Sequence, residues 1–139
     1  MREVLEAIAK RLRDSLGVTV GIGDMTGERP PFISLWGTPR GRETDPGLTS
    51  CGAWSKSSGM TVTTESVPLA VDLADAAIEL LMPSRTVGTF RAGRQLVSIE
   101  FLSAQNAAVD RQVVLPKSNT HPAYITVQFR LHSQPLEDV

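Results

Sequence analysis

Side chains able to act as nucleophiles or general bases are few in this chain of 139 residues. Its single cysteine, Cys51, would become a nucleophile beside a base such as His121, because catalysis needs the thiolate. Both residues lie in stretches rich in Gly, Ser, Thr or Pro, whereas a catalytic group needs a rigid support. We therefore interpret Cys51 as an ordinary loop cysteine and predict no catalytic residues. A small enzyme that uses Cys51 is the alternative interpretation.

Metal-ligating side chains show no spacing that fits a known type of site. His121 and His132 stand eleven residues apart, and neither has a second ligand at a zinc spacing. Asp72, Asp75 and Glu79 recur at spacings of three and four, so they share one face of a predicted helix. Calcium needs about six to eight oxygens from a wrapped loop, which one helix face does not supply. We predict neither a metal nor another cofactor.

Arginine dominates the basic residues, with eleven Arg and three Lys in a chain of net charge −1. Arg85, Arg91 and Arg94 fall in a stretch, residues 80–99, that contains no acidic residue. Such a cluster can follow a phosphate backbone. However, only Phe90 offers an aromatic platform there, and the sequence has no helix-turn-helix or zinc-finger pattern. We interpret the three arginines as candidate protein-interface residues, with a nucleic-acid-binding regulatory domain as the alternative.

A long polar segment, Gly37–Gly59, separates two apolar runs and has almost nothing to bury. Loops of this length inside compact domains are usually functional or disordered, and ordering them costs about 1–2 kcal/mol per residue. We interpret the segment as an extended arm that a neighbouring protein molecule orders. Its candidate contact residues are Arg40, Arg42, Leu48 and Trp54. For Trp54, packing back onto the chain's own sheet is the alternative.

The composition is that of an ordinary globular chain, with 41% apolar and 21% charged residues. The length fits one domain, residues 1–139, whose polar end Gln134–Val139 should fray. One cysteine excludes an internal disulfide. The amphipathic start has no signal-peptide core, and the acids within Val67–Met82 exclude a membrane span. We expect a soluble protein of a reducing compartment.

The N-terminal part of the chain should form a helix and two short strands. Apolar residues at spacings of three and four predict an amphipathic helix over Arg2–Leu16, ended by Gly17. These residues are Leu5, Ile8, Leu12 and Leu16. Val18–Ile22 favours a short strand, and Phe32–Trp36 is typical of a strand buried on both faces.

The centre of the chain predicts a strand followed by a helix. Met60–Thr64 alternates apolar and polar residues, as expected of a strand antiparallel to Phe32–Trp36. Ser66 and Pro68 are typical of a helix start, and Pro83 of its end. We expect this helix to bury Leu69, Leu73, Ala76, Ala77, Leu80 and Leu81.

The C-terminal third is predicted to be β-structure, with strands over Val97–Phe101, Gln112–Leu115 and Tyr124–His132. The last strand alternates most clearly, and it should bury Ile125, Val127, Phe129 and Leu131. Together the elements predict an α+β fold. We expect a mixed, mainly antiparallel sheet packed by two main helices, with a long loop or hairpin arm.

This order of elements resembles the tail terminator proteins of long-tailed, siphovirus-type bacteriophages. The opening Met1–Leu16 is similar to their first helix, and Pro30–Trp36 is similar to the proline-led strand that follows it. Thr61–Ala77 looks like their strand-then-helix centre, and Ile125–Leu131 like their closing strand. The resemblance spans most of the chain and concerns the layout of the elements, since the family has no signature motif.

The resemblance implies a structural virion protein without catalysis or a cofactor. Such subunits form a ring, commonly a hexamer, that caps the head-proximal end of the tail tube, ends tube polymerisation and provides the docking face for the head–tail connector. The implied partners are copies of itself, the major tail tube protein and the connector, with DNA only as passing cargo in the lumen and no membrane. Assembly in the host cytoplasm would place it in the tail or neck of the virion. Another neck, connector or tail-completion subunit is the alternative.

Overall fold

The computed structural model describes residues 2–23, 29–37, 54–115 and 121–135. Within these ranges two helices cover one face of a mixed, mainly antiparallel sheet of seven strands, which confirms the predicted α+β fold. The helices are α1 (Arg2–Leu16) and α2 (Val67–Leu81). The strands are β1 (Thr19–Ile22), β2 (Phe32–Gly37), β3 (Trp54–Thr64), β4 (Val87–Ala92), β5 (Gln95–Ala104), β6 (Ala108–Val109) and β7 (Ala123–Pro135).

The strand order of the sheet is β1-β2-β3-β7-β5-β4, and β6 pairs with the first residues of β7. β1 runs parallel to β2, and the other pairs are antiparallel. A short 3-10 turn, Pro83–Arg85, links α2 to β4. Among the described strands β7 is therefore central, and β1 and β4 form the two edges.

Helix α1 has the predicted bounds, and Leu5, Ile8 and Leu12 of its apolar stripe are buried, whereas Leu16 is only partly buried. Gly17 follows it with a φ of 66°, a left-handed conformation that glycine adopts without a steric cost. The Gly17 N–H donates to the Arg13 carbonyl oxygen at 2.9 Å, as expected at a helix end. The Arg13 guanidinium donates to the Val20 carbonyl oxygen at 2.6 and 3.0 Å, so the last turn of α1 is fixed to β1.

Strands β2 and β3 form the predicted antiparallel pair, with Ile33 opposite Val62. β3 begins at Trp54, six residues before the predicted start, and it pairs with β7 as far as Trp54 opposite Ser133. The predicted arm Gly37–Gly59 was therefore too long at its C-terminal end. Backbone hydrogen bonds extend a strand through polar residues that an apolar pattern does not reveal.

Strand β2 is buried on one face only, contrary to the sequence-based expectation. Ile33 and Leu35 are fully buried beneath the helices, whereas Phe32 and Trp36 stay partly accessible on the other face. The Trp36 ring lies against Gly59, where any Cβ would overlap it. The helices cover one face of the sheet, so alternate residues of β2 remain accessible.

Strand β7 is confirmed and is longer than predicted at both ends. Its alternating apolar side chains face the helices and are buried: Ile125, Val127, Phe129 and Leu131. Gln134 and Pro135 still pair with β5, so the predicted frayed end Gln134–Val139 begins too early. Residues 136–139 lie outside the described residues.

Helix α2 turns a different face towards the core than predicted. Its buried residues are Ala70, Ala74, Ala77, Ile78 and Leu81. Leu69, expected in the core, is 53% exposed, Ala76 is exposed, and Leu73 and Leu80 are partly buried. Small alanine side chains let the helix lie close to the sheet. The stripe that starts at Leu69 begins one residue before the buried stripe that starts at Ala70, so it lies about 100° away around the helix.

The region between α2 and β7 differs most from the prediction. β4 was not predicted, because Gly88, Thr89 and Arg91 interrupt its apolar residues. The predicted strand Gln112–Leu115 is wrong. The Asp110 carboxylate accepts the Gln112 N–H at 3.1 Å, and this side-chain bond favours a turn over a strand.

We expect Phe129→Ala to lower the free energy of unfolding by about 3–5 kcal/mol, because this fully buried side chain leaves a cavity in the middle of the sheet. Chemical denaturation followed by circular dichroism measures the change. Leu102→Ala is the control, since Leu102 is exposed on β5 and its loss should change stability by less than about 0.5 kcal/mol. Equal losses in the two variants would contradict the central position of Phe129.

Candidate functional site

Arg85, a predicted interface residue, contacts two other parts of the same chain. Its Nη2 atom lies 3.0 Å from Asp75 Oδ1 in an ion pair whose side chains are about half exposed. Its guanidinium carbon lies 5.2 Å from the centre of the Phe101 ring. Exposed contacts of these kinds each contribute about 1 kcal/mol or less. Arg85 therefore links the middle of α2 to β5.

The other two predicted arginines lie at the far end of β4. Arg91 is exposed on that strand, and Arg94 lies in the turn that leads into β5. Arg85 lies in the 3-10 turn before β4, and the extended chain from Val87 to Arg91 alone spans about 13 Å. The structure therefore does not bring Arg85, Arg91 and Arg94 together into one basic patch.

Trp54 lies at the first position of β3 and packs, partly buried, against the hydrophobic core. The Lys56 ammonium lies 5.6 Å from the centre of its ring. This position corresponds to the alternative in which Trp54 packs onto the chain's own sheet. The remaining predicted arm contacts, Arg40, Arg42 and Leu48, lie outside the described residues, as does Cys51.

The rotation of α2 creates an open apolar groove that the sequence did not predict. The groove has a volume of about 480 Å³ and runs between the first turns of α2 and the end of α1. Its apolar walls are Leu16, Val18, Pro31, Leu69, Leu73 and Ala76. The spacing of Ala70, Ala74 and Ala77 was the available signal, because it defines an alternative buried stripe that leaves the leucines outside.

Two carboxylates, Glu65 and Asp72, stand at the border of this groove. Within the described ranges neither forms a salt bridge, since the acidic residues paired there are Asp75 with Arg85 and Glu100 with His132. Apolar walls bordered by charged groups are typical of a surface that binds another protein. We use the name α2 groove for the surface formed by these lining residues: Leu16, Val18, Pro31, Thr64, Glu65, Leu69, Asp72, Leu73 and Ala76.

A second exposed apolar surface lies at the end of β6 and in the turn that follows it. Val109, Val113 and Val114 are each more than a third exposed, and Arg111 stands exposed among them. We call the segment Val109–Val114 the valine turn. No other part of the described chain places three exposed valines in so short a segment.

The valine turn is held by polar contacts. The Asp110 N–H donates to the Pro122 carbonyl oxygen at 2.9 Å, and the Asp110 carboxylate accepts the Gln112 N–H. His121 Nδ1 donates to the Val113 carbonyl oxygen at 2.7 Å. These bonds fix the backbone, so the valines project from an ordered turn.

The two histidines, His121 and His132, lie on different parts of the surface. His132 lies on the uncovered face of the sheet, where its Nε2 is 3.1 Å from Glu100 Oε2. His121 binds the valine turn on another part of the surface. Among the described residues no group of three or more His, Cys, Asp or Glu side chains could hold a metal ion. In the same ranges, no helix has the length and apolar character needed to cross a membrane.

Comparison of the sequence with protein-family models and with curated proteins finds no match in either. The functional interpretation therefore depends on the layout of the fold and on the two exposed apolar surfaces, the α2 groove and the valine turn.

We expect Trp54→Ala to lower the free energy of unfolding by about 1.5–3 kcal/mol, because the ring covers the core at the start of β3. Urea denaturation at a concentration where the protein is monomeric measures the loss. Trp54→Phe is the matched variant, and it should retain most of the stability because an aromatic ring still covers the core. Unchanged stability in Trp54→Ala would instead indicate that the ring contacts only other molecules.

Proposed function

We propose that this chain is a structural subunit that assembles into a closed ring, and that the ring caps the head-proximal end of a bacteriophage tail tube. The α2 groove carries the assembly part of the proposal. Leu69 is 53% exposed beside Leu73 and Leu16, although burying a leucine is worth about 1.5–3 kcal/mol. Contiguous apolar surface of this kind marks an interaction site.

The layout of the elements supports the position in the tail. The order helix, three strands, helix and, after three further strands, a long closing strand resembles that of tail terminator proteins. In this role the ring ends tube polymerisation and offers a docking face to the head–tail connector. Its partners are copies of itself, the major tail tube protein and the connector, while DNA passes through the lumen.

The arrangement of the arginines makes the nucleic-acid-binding alternative less favourable. A phosphate-binding surface needs several cations along one path, whereas Arg85 is paired with Asp75 and stands a whole strand away from Arg91. A neck or connector subunit is the alternative that would assemble through the same surfaces. Its ring would bind a different partner.

Ring formation is tested by measuring the mass in solution. Light scattering after size exclusion, at several concentrations, should reveal one discrete multiple of the 15.0 kDa subunit, and about 90 kDa for a hexamer. Electron microscopy of that species should show a central opening. A monomer at every concentration, or a dimer, would contradict the ring.

The position in the tail needs a separate measurement. Rings added to growing tail tubes of the same phage should shorten the tubes and remain bound at one end of each. A connector subunit would leave the tube length unchanged, because it binds a finished end and does not stop growth. Tube length distributions from electron micrographs distinguish the two roles.

A further inference from the structure

The α2 groove and the valine turn are complementary in chemistry. The groove is apolar and is bordered by Glu65 and Asp72. The turn presents Val113 and Val114, which are 45% and 51% exposed, next to the cation of Arg111. Within the described residues, Arg111, Glu65 and Asp72 form no salt bridge with one another or with a third group. An apolar contact flanked by opposite charges is the usual composition of a specific protein interface.

The valine turn is also preorganised for binding. Its backbone is fixed by the Asp110 carboxylate and by His121, so little conformational entropy is lost when the valines are buried in an interface. A mobile loop would lose more on binding. The contacts of Asp110 and His121 leave the valine side chains pointing outwards.

The strand register places the two surfaces near each other in one molecule. Thr64, beside the groove, pairs with Ala123 of β7, and Ala123 pairs on its other side with Val109. The turn and the groove therefore flank β7 at the same end of the sheet, with Thr64 and Val109 two strand spacings, about 10 Å, apart. Leu69, Val113 and Val114 all remain exposed, so a subunit's own turn does not fill its own groove.

We infer that the valine turn of one copy occupies the α2 groove of a second copy, with Arg111 facing Asp72 and Glu65 across the contact. The inference rests on the proposed function in one respect, because it names the subunit contact of the ring. A contact between two different patches is heterologous, and it generates a ring when the rotation between copies closes.

The first test compares apolar-to-acid substitutions that differ only in position. Leu69→Asp, inside the groove, should raise the dissociation constant of the assembly by about tenfold or more. Val71→Asp is the matched control, since Val71 is 41% exposed on the same helix but does not line the groove. Val113→Asp should match Leu69→Asp, whereas Val87→Asp, at a residue 51% exposed on the edge strand, should match the control. Sedimentation velocity measures all four, and circular dichroism checks that each is folded.

The second test exchanges the charges across the contact. Asp72→Arg and Arg111→Asp should each weaken assembly, because each places like charges opposite one another. The double variant restores an opposite pair at positions 72 and 111, while Glu65 still faces an acid, so its dissociation constant should be lower than that of either single variant. Additive losses in the double variant would overturn the pairing.

The third test mixes two variants that do not assemble alone. Leu69→Asp subunits keep an intact turn, and Val113→Asp subunits keep an intact groove. Together they should form a one-to-one complex through a single intact contact, and that complex should not grow further. Failure to form any complex, when each variant is folded, would overturn the inference.

The outcomes separate this inference from the proposed ring. If the protein forms a ring and none of the groove and turn variants weakens it, the proposed ring stands and the proposed contact is overturned. If the starting protein is a dimer that the variants dissociate, the contact stands as a reciprocal contact between two copies, and the proposed ring is overturned. A starting protein that is monomeric at every concentration overturns both.

Discussion

The pairing of β7 on both of its sides is the constraint on which the rest of the structure depends. This strand joins β3 to β5, and its buried side chains pack against α2. Phe129 stands at the middle, opposite Ser58 on one side and Phe101 on the other. A shift of one residue in this register would turn every buried side chain of β7 towards solvent, so the apolar alternation of the strand fixes the register of the whole sheet.

The alanines of α2 connect core packing to the candidate site. Ala70, Ala74 and Ala77 allow the helix to lie close to β3 and β7, where larger side chains would hold it away. The same rotation leaves Leu69 exposed and Leu73 only partly buried along the border with α1. The groove is thus a direct consequence of how the core is packed, and filling it from within would require a different helix rotation.

The sequence predicted the elements whose pattern is strong and local. The stripe of α1, the β2–β3 pairing and the alternation of β7 each repeat over enough residues to define an element and a face. The rotation of α2 was missed because two overlapping apolar stripes compete, and only the volume available above the sheet decides between them. β4 and the turn at Asp110 were missed because backbone pairing and one side-chain bond decide those segments. The groove depends on the rotation of α2, so it was missed with it.

A closed ring demands a constant rotation from each subunit to the next. In the proposed contact both surfaces are tied to the same residue of the central strand, since Ala123 pairs with Thr64 beside the groove and with Val109 at the valine turn. Their relative position is therefore set by the sheet and not by a flexible hinge. A fixed relative position gives every copy the same rotation to the next, and the ring closes when that rotation is a whole fraction of a full turn. The register of β7 would then determine both the fold of one subunit and the geometry of the assembly.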